Sequence, residues 1–184
     1  TLLESCYPLW AMSIINRGVL PWAPLLLLGA WGTAEEAGIF GAALRISMLV
    51  TFFLTAVNTV IAPKFAELYS MGELEALGGL AQRSAVLVTL AAAPLLLILT
   101  LANETVMGLF GSGFTKGGMA LAILALGQAV NTLTGSVGYI LMMTGHERCA
   151  RNASIISAVV MCVLAITLIP TYGLVGAAIA SAAA

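Results

Sequence analysis

Apolar residues run almost unbroken along five stretches of the chain: residues 7–28, 38–62, 84–102, 119–143 and 153–169. A helix needs about 20 mostly apolar residues to cross the hydrocarbon core, at about 1.5 Å of rise each. Each stretch therefore predicts a transmembrane helix. A sixth apolar segment begins near Leu174, and the sequence ends inside it at Ala184. The connections are short, which predicts sequential antiparallel neighbours. The expected fold is an all-α polytopic membrane helix bundle, with five complete transmembrane helices plus the start of a sixth. No separate soluble domain is expected within residues 1–184, and the start at Thr1 and the end inside a span are those expected of a fragment.

Proline and glycine punctuate these stretches. Pro63 is expected to end the second span, and Pro170 with Gly173 to make a turn after the fifth. The connector over residues 64–83 places Phe65, Leu68 and Tyr69, then Leu74, Leu77 and Leu80, near helical spacing. It predicts an interfacial helix broken at Gly72, with Glu67, Glu73 and Glu75 solvated.

Composition agrees with the membrane reading. Of the chain, 61% is hydrophobic and 8% charged, where a soluble domain carries about 25% charged residues, and the mean hydropathy is +1.07. A net charge of −1 supplies no basic field for nucleic acid. The placement of charge is more informative: Lys64, Arg83, Arg148 and Arg151 fall in the second and fourth connections, against Lys116 alone in the others. Cytoplasmic loops retain positive charge, so those two connections and the N-terminus are expected in the cytoplasm. Glu35, Glu36 and Glu104 are then expected outside.

Enzyme and metal chemistry find little support. Cys6, Cys149 and Cys162 are scattered without a paired motif, and the single histidine, His146, lies in a charged connection without a nucleophile motif beside it. Neither a zinc-protease motif nor a phosphate-binding P-loop is present. No cofactor or metal is expected.

The polar residues within the spans carry the functional information, because ionisable groups in hydrocarbon are rare and face a bundle interior or a watery cavity. Arg17 lies deep in the first span, and Pro21 removes the N–H that would pair with its carbonyl. Pro24 does the same to Leu20. A helix loosened beside a buried cation is expected to line a cavity. In the second span Arg45 shares a face with Gly38, Ala42, Leu49 and Ala56, whereas Ser47, Thr51, Thr55 and Asn58 form a different polar stripe. Snorkelling or helix packing explains Arg45 about as well as a substrate contact. In the fourth span Gln128, Asn131, Thr132, Gly135 and Tyr139 fall on one face, as interhelical hydrogen-bonding groups or as a cavity wall. Gly173, Ala177 and Ser181 form a small-residue row suited to close helix packing.

Five segments, EEAGIFGAALRIS, APKFAELYSMGE, LFGSGF, LMMTGHE and IPTYGLVGAAIASA, resemble in order the polysaccharide-export flippases of the multidrug/oligosaccharidyl-lipid/polysaccharide exporter superfamily. The resemblance implies two six-helix lobes around a central cavity, this chain being most of the C-terminal lobe and the first lobe its partner. It further implies a multi-pass protein of the inner (plasma) membrane. Its implied activity is translocation of a polyprenyl-diphosphate-linked oligosaccharide to the outer leaflet by alternating access. On that reading Arg17, with its neighbour Asn16, holds the diphosphate, Arg45 is a weaker candidate, and Gln128, Asn131 and Thr132 meet sugar hydroxyls. A multidrug cation antiporter of the same superfamily would need acidic cavity residues, and a membrane enzyme acting on lipid-linked sugars would need a large outer loop. A structural membrane subunit would pair Arg17 with a partner's acid.

Overall fold

The computed structural model of the chain describes residue 18 and residues 20–183. Among them are eight α-helices and no strand: α1 Leu20–Trp31, α2 Ala34–Ser47, α3 Leu49–Ser70, α4 Leu74–Leu101, α5 Asn103–Gly108, α6 Gly118–Thr134, α7 Val137–Met143 and α8 Glu147–Ala182. A 3-10 turn over Ser112–Gly117 leads into α6. Four segments of the described residues are long and apolar enough to cross a membrane: Ala34–Ser70, Leu74–Leu101, Ser112–Thr134 and Arg148–Ala182. The protein is an all-α polytopic membrane bundle. No more than 39% of any of these spans is buried inside it, and Leu26, Phe52, Val60, Leu90, Leu101 and Ile156 lie exposed. Hydrocarbon, which is as apolar as leucine, is the solvent such a surface needs.

The elements start and stop for local reasons. Thr33 caps α2 with a reciprocal box: its hydroxyl accepts from the Glu36 N–H at 3.1 Å, and Glu36 Oε2 accepts from the Thr33 N–H at 2.9 Å. Glu35 and Glu36 also place negative charge at the positive end of the helix. α2 and α3 together form one path over Ala34–Ser70, interrupted at Met48. Pro63 does not end it, contrary to expectation. The ring sits on an exposed face within α3 and the helix runs on to Ser70. The connector over residues 64–83 correspondingly makes no separate interfacial helix. Its halves extend α3 and α4, and the break falls at Gly72, whose φ of 74° suits glycine.

The expected turn after the fifth span is present at Gly173, whose φ/ψ of 53°/−125° lies outside helical space. A Cβ on Gly176 would collide with the Leu168 carbonyl, although residues eight apart in a straight helix are separated by about 12 Å. The chain therefore doubles back within α8; of the small-residue row Gly173, Ala177 and Ser181, Ala177 is fully buried and the other two are half-buried, with Ala178 and Ala180 buried beside them. Ala182 returns against Gly127 of α6, where a Cβ would come within 2.9 Å of the Ala182 Cα.

α6 is the central helix, packed against α2, α4 and α8, with Ala120, Leu121, Leu124 and Ala125 in the core. Its two flanking ends are chemically distinct. At one end Lys116 pairs with Glu35 at 3.3 Å, Gly118 abuts Asn103 and Glu104, and Gly173 lies against Glu36. At the other, Tyr69 and His146 meet edge to face with ring centres 6.4 Å apart, bringing the end of α3 to the start of α8 and its Arg148 and Arg151. We call these the acidic and the basic end.

Candidate functional site

The fourth expected span is not one helix. α6 stops at Thr134, Gly135 takes φ/ψ of 66°/−132°, and α7 restarts at Val137. Such a backbone conformation strongly favours glycine. Close packing acts at the same residue, because a Cβ on Gly135 would lie 2.7 Å from the Ala85 Cβ of α4. The break releases carbonyls at the end of α6, and nearby groups take some of them: the Gly135 N–H donates to the Asn131 and Thr132 carbonyls, and the Thr134 hydroxyl donates to that of Asn131.

A seam of polar side chains from α3, α4 and α6–α7 surrounds this break. α3 runs parallel to α6–α7, so ascending residues pair with ascending ones. Thr51 donates to Gln128 Oε1 at 3.0 Å, and about two helical turns further on Ser136 donates to Asn58 Oδ1. α4 runs antiparallel, and there Ser84 meets Ser136 at 3.5 Å while Thr89 donates to the Thr132 carbonyl at 3.4 Å. Asn58, Ser84, Thr132 and Ser136 are all buried. Asn58 Nδ2 has no partner among the described residues, which makes this the most costly polar point of the interior, at about 1–3 kcal/mol for an unmet donor.

The residues singled out in the sequence separate into four places. Asn16 and Arg17 lie outside the described residues. Gln128 and Asn131 come together, Asn131 Nδ2 donating to Gln128 Oε1 at 3.4 Å, with Asn131 exposed and Gln128 half-buried. Thr132 is buried on the α4 side and donates its hydroxyl to the Ala129 carbonyl at 2.8 Å. Its hydroxyl stays within α6 and its carbonyl is what joins the seam, accepting from Thr89, so its side chain does not share the exposed surface with Asn131. Arg45 lies on neither surface. It lines a groove of about 550 Å³ with Leu25 of α1, Gly38, Gly41 and Ala42 of α2, and Phe110 and Phe114. Within the stripe on α3, Thr51 and Asn58 enter the seam, whereas the Thr55 hydroxyl returns to the Thr51 carbonyl on an exposed face. Ser84, Thr89 and Ser136 were not singled out from the sequence. The adjacent Gly135 and Ser136 were the available signal, since glycine–serine pairs are common sites of helix kinks.

Fold and seam together define a class: a multi-pass membrane protein with a discontinuous helix at a polar interior. Over 172 residues, 93% of its length, the chain is 27% identical to the probable low-salt glycan biosynthesis flippase Agl15 of Haloferax volcanii. It spans 36% of that relative's length, about a third. No family model matches the chain, and no solved structure matches it.

Proposed function

We propose that the chain is the larger part of one lobe of a flippase that moves a polyprenyl-diphosphate-linked oligosaccharide across the plasma membrane. The observation that carries this reading is the similarity, along nearly the whole chain, to a protein named as a glycan biosynthesis flippase. The broken α6–α7 helix supports it, because irregular backbone at membrane depth is tolerated where it is buried in protein or borders a hydrated path. Alternating access then requires the lobe to change shape, and a glycine joint held by neutral hydrogen bonds can do so without moving a buried charge.

In this account Arg17 and Asn16 bind the diphosphate, the guanidinium offering a charged fork to phosphate oxygens. Gln128 and Asn131 offer amide groups to sugar hydroxyls, and the Thr132 carbonyl joins the seam behind them through Thr89. The basic end faces the cytoplasm, as the retention of Lys64, Arg83, Arg148 and Arg151 there supports. The test is flipping of a fluorescent polyprenyl-diphosphate disaccharide by the full-length protein in sealed vesicles. Protein-dependent loss of the probe from one leaflet is expected. A rate equal to that of protein-free vesicles overturns the proposal.

A further inference from the structure

The groove at Arg45 has no part in the seam, and its chemistry is that of an amphiphile's complement. Leu25, Gly38, Gly41, Ile46 and Phe114 are among the residues that line it, and Arg45 is the one charged group among its described lining residues. Arg45 is exposed and makes no ion pair among the described residues. Its volume of about 550 Å³ falls within the range of about 300–1,000 Å³ typical of small-ligand sites. Gly38 and Gly41 are what keep it open: a Cβ on Gly38 would meet nothing within 4 Å, and one on Gly41 only Leu25 Cδ1 at 3.6 Å.

Depth and direction narrow the occupant. Arg45 is seven residues beyond Gly38, or about 10 Å along the helix. Side chains on a helix lean toward its N-terminus, which for α2 is the acidic end carrying Glu35 and Glu36. The guanidinium therefore extends back along the small-residue floor toward the acidic-end surface, as long cationic side chains do in bilayers. A guanidinium with no ion pair among the described residues, near a headgroup layer, suits a phosphate, and an apolar trough beside it suits a hydrocarbon chain.

We propose that this groove seats one anionic phospholipid of the acidic-end leaflet, its phosphate on Arg45 and an acyl chain against Gly38, Gly41 and Phe114. The proposal does not depend on the diphosphate assignment of Arg17. Gly38→Leu fills the groove from a position with free space, so the fold is retained, and Arg45→Gln removes the charge while keeping most of the side chain.

The test is native mass spectrometry of the full-length protein released from nanodiscs containing equal phosphatidylglycerol and phosphatidylcholine. Wild type is expected to retain one phosphatidylglycerol in preference to phosphatidylcholine. Either variant should lower that preference about tenfold, with the protein still monodisperse. Equal retention of phosphatidylglycerol by wild type and both variants overturns the proposal. So does displacement of the bound phospholipid by an added polyprenyl phosphate at equimolar concentration, which would make the groove a substrate seat. Flipping activity is a separate readout: lost lipid preference with retained flipping leaves the functional proposal standing, and retained preference with no flipping in wild type leaves this one standing.

Discussion

Replacing Gly135 by alanine tests whether the α6–α7 break is built into the fold. Two costs act together. An L-residue forced to φ/ψ of 66°/−132° pays about 1–3 kcal/mol for the backbone conformation. The new Cβ also lies 2.7 Å from the Ala85 Cβ and 3.3 Å from its Cα, an overpacking worth about 1–3 kcal/mol. Gly135→Ala should therefore destabilise the protein by about 2–6 kcal/mol. The two parts can be separated, because Ala85→Gly removes one colliding methyl and costs about 0.5–1 kcal/mol by itself as a glycine within a helix. The double variant Gly135→Ala/Ala85→Gly should be more stable than the sum of the two single changes by about 1–3 kcal/mol. Reversible unfolding of the full-length protein in mixed micelles, with wild type and the three variants compared, gives that coupling energy. A Gly135→Ala cost below about 1 kcal/mol, or a coupling near zero, would refute the reasoning and mean that the helix runs straight through residue 135.

Two further outcomes follow from the seam and the ends. Asn58→Ala should cost about 2–4 kcal/mol, from the lost bond to Ser136 and the void left behind, whereas Asn58→Leu, which removes the same bond and the same unmet Nδ2 donor, should cost less because it fills that void; unfolding in the same micelles ranks the two. Lys116→Gln should change stability by less than about 0.5 kcal/mol, since its bridge to Glu35 joins two exposed side chains, and the residual effect should vanish in the same titration at high salt.

The second, third and fifth spans, the alternation of acidic and basic ends, the reversal at Gly173 and the separation of Arg45 from the Thr51–Asn58 stripe were legible in the sequence, whereas the first expected span, residues 7–28, lies mostly outside the described residues and the fourth is broken at Gly135. Hydropathy and charge are summed over many residues, and helical spacing needs no partner to be read. Pro63 shows where that reading fails: a proline breaks a helix only if its lost bond matters, and on an exposed face of a long apolar helix tertiary packing carries the chain through to Ser70. Gly135 shows the complementary failure. In the sequence it was one small residue on a polar face, and only the approach of Ala85 and the neighbouring Ser136 identify it as the joint. Ser84 and Thr89 were invisible for the same reason, because nothing local in α4 says that their hydroxyls face α6 and α7.

The central claim concerns a lipid-linked diphosphate held by a cation in an apolar span, and flipping of the fluorescent polyprenyl-diphosphate disaccharide by full-length Arg17→Ala and Arg17→Lys in sealed vesicles tests it most directly. Losing a charged fork to phosphate should lower the initial rate by about tenfold or more in Arg17→Ala, with partial retention in Arg17→Lys, which keeps the charge and loses the fork. A wild-type rate from Arg17→Ala, at equal amounts of reconstituted protein, would contradict the account.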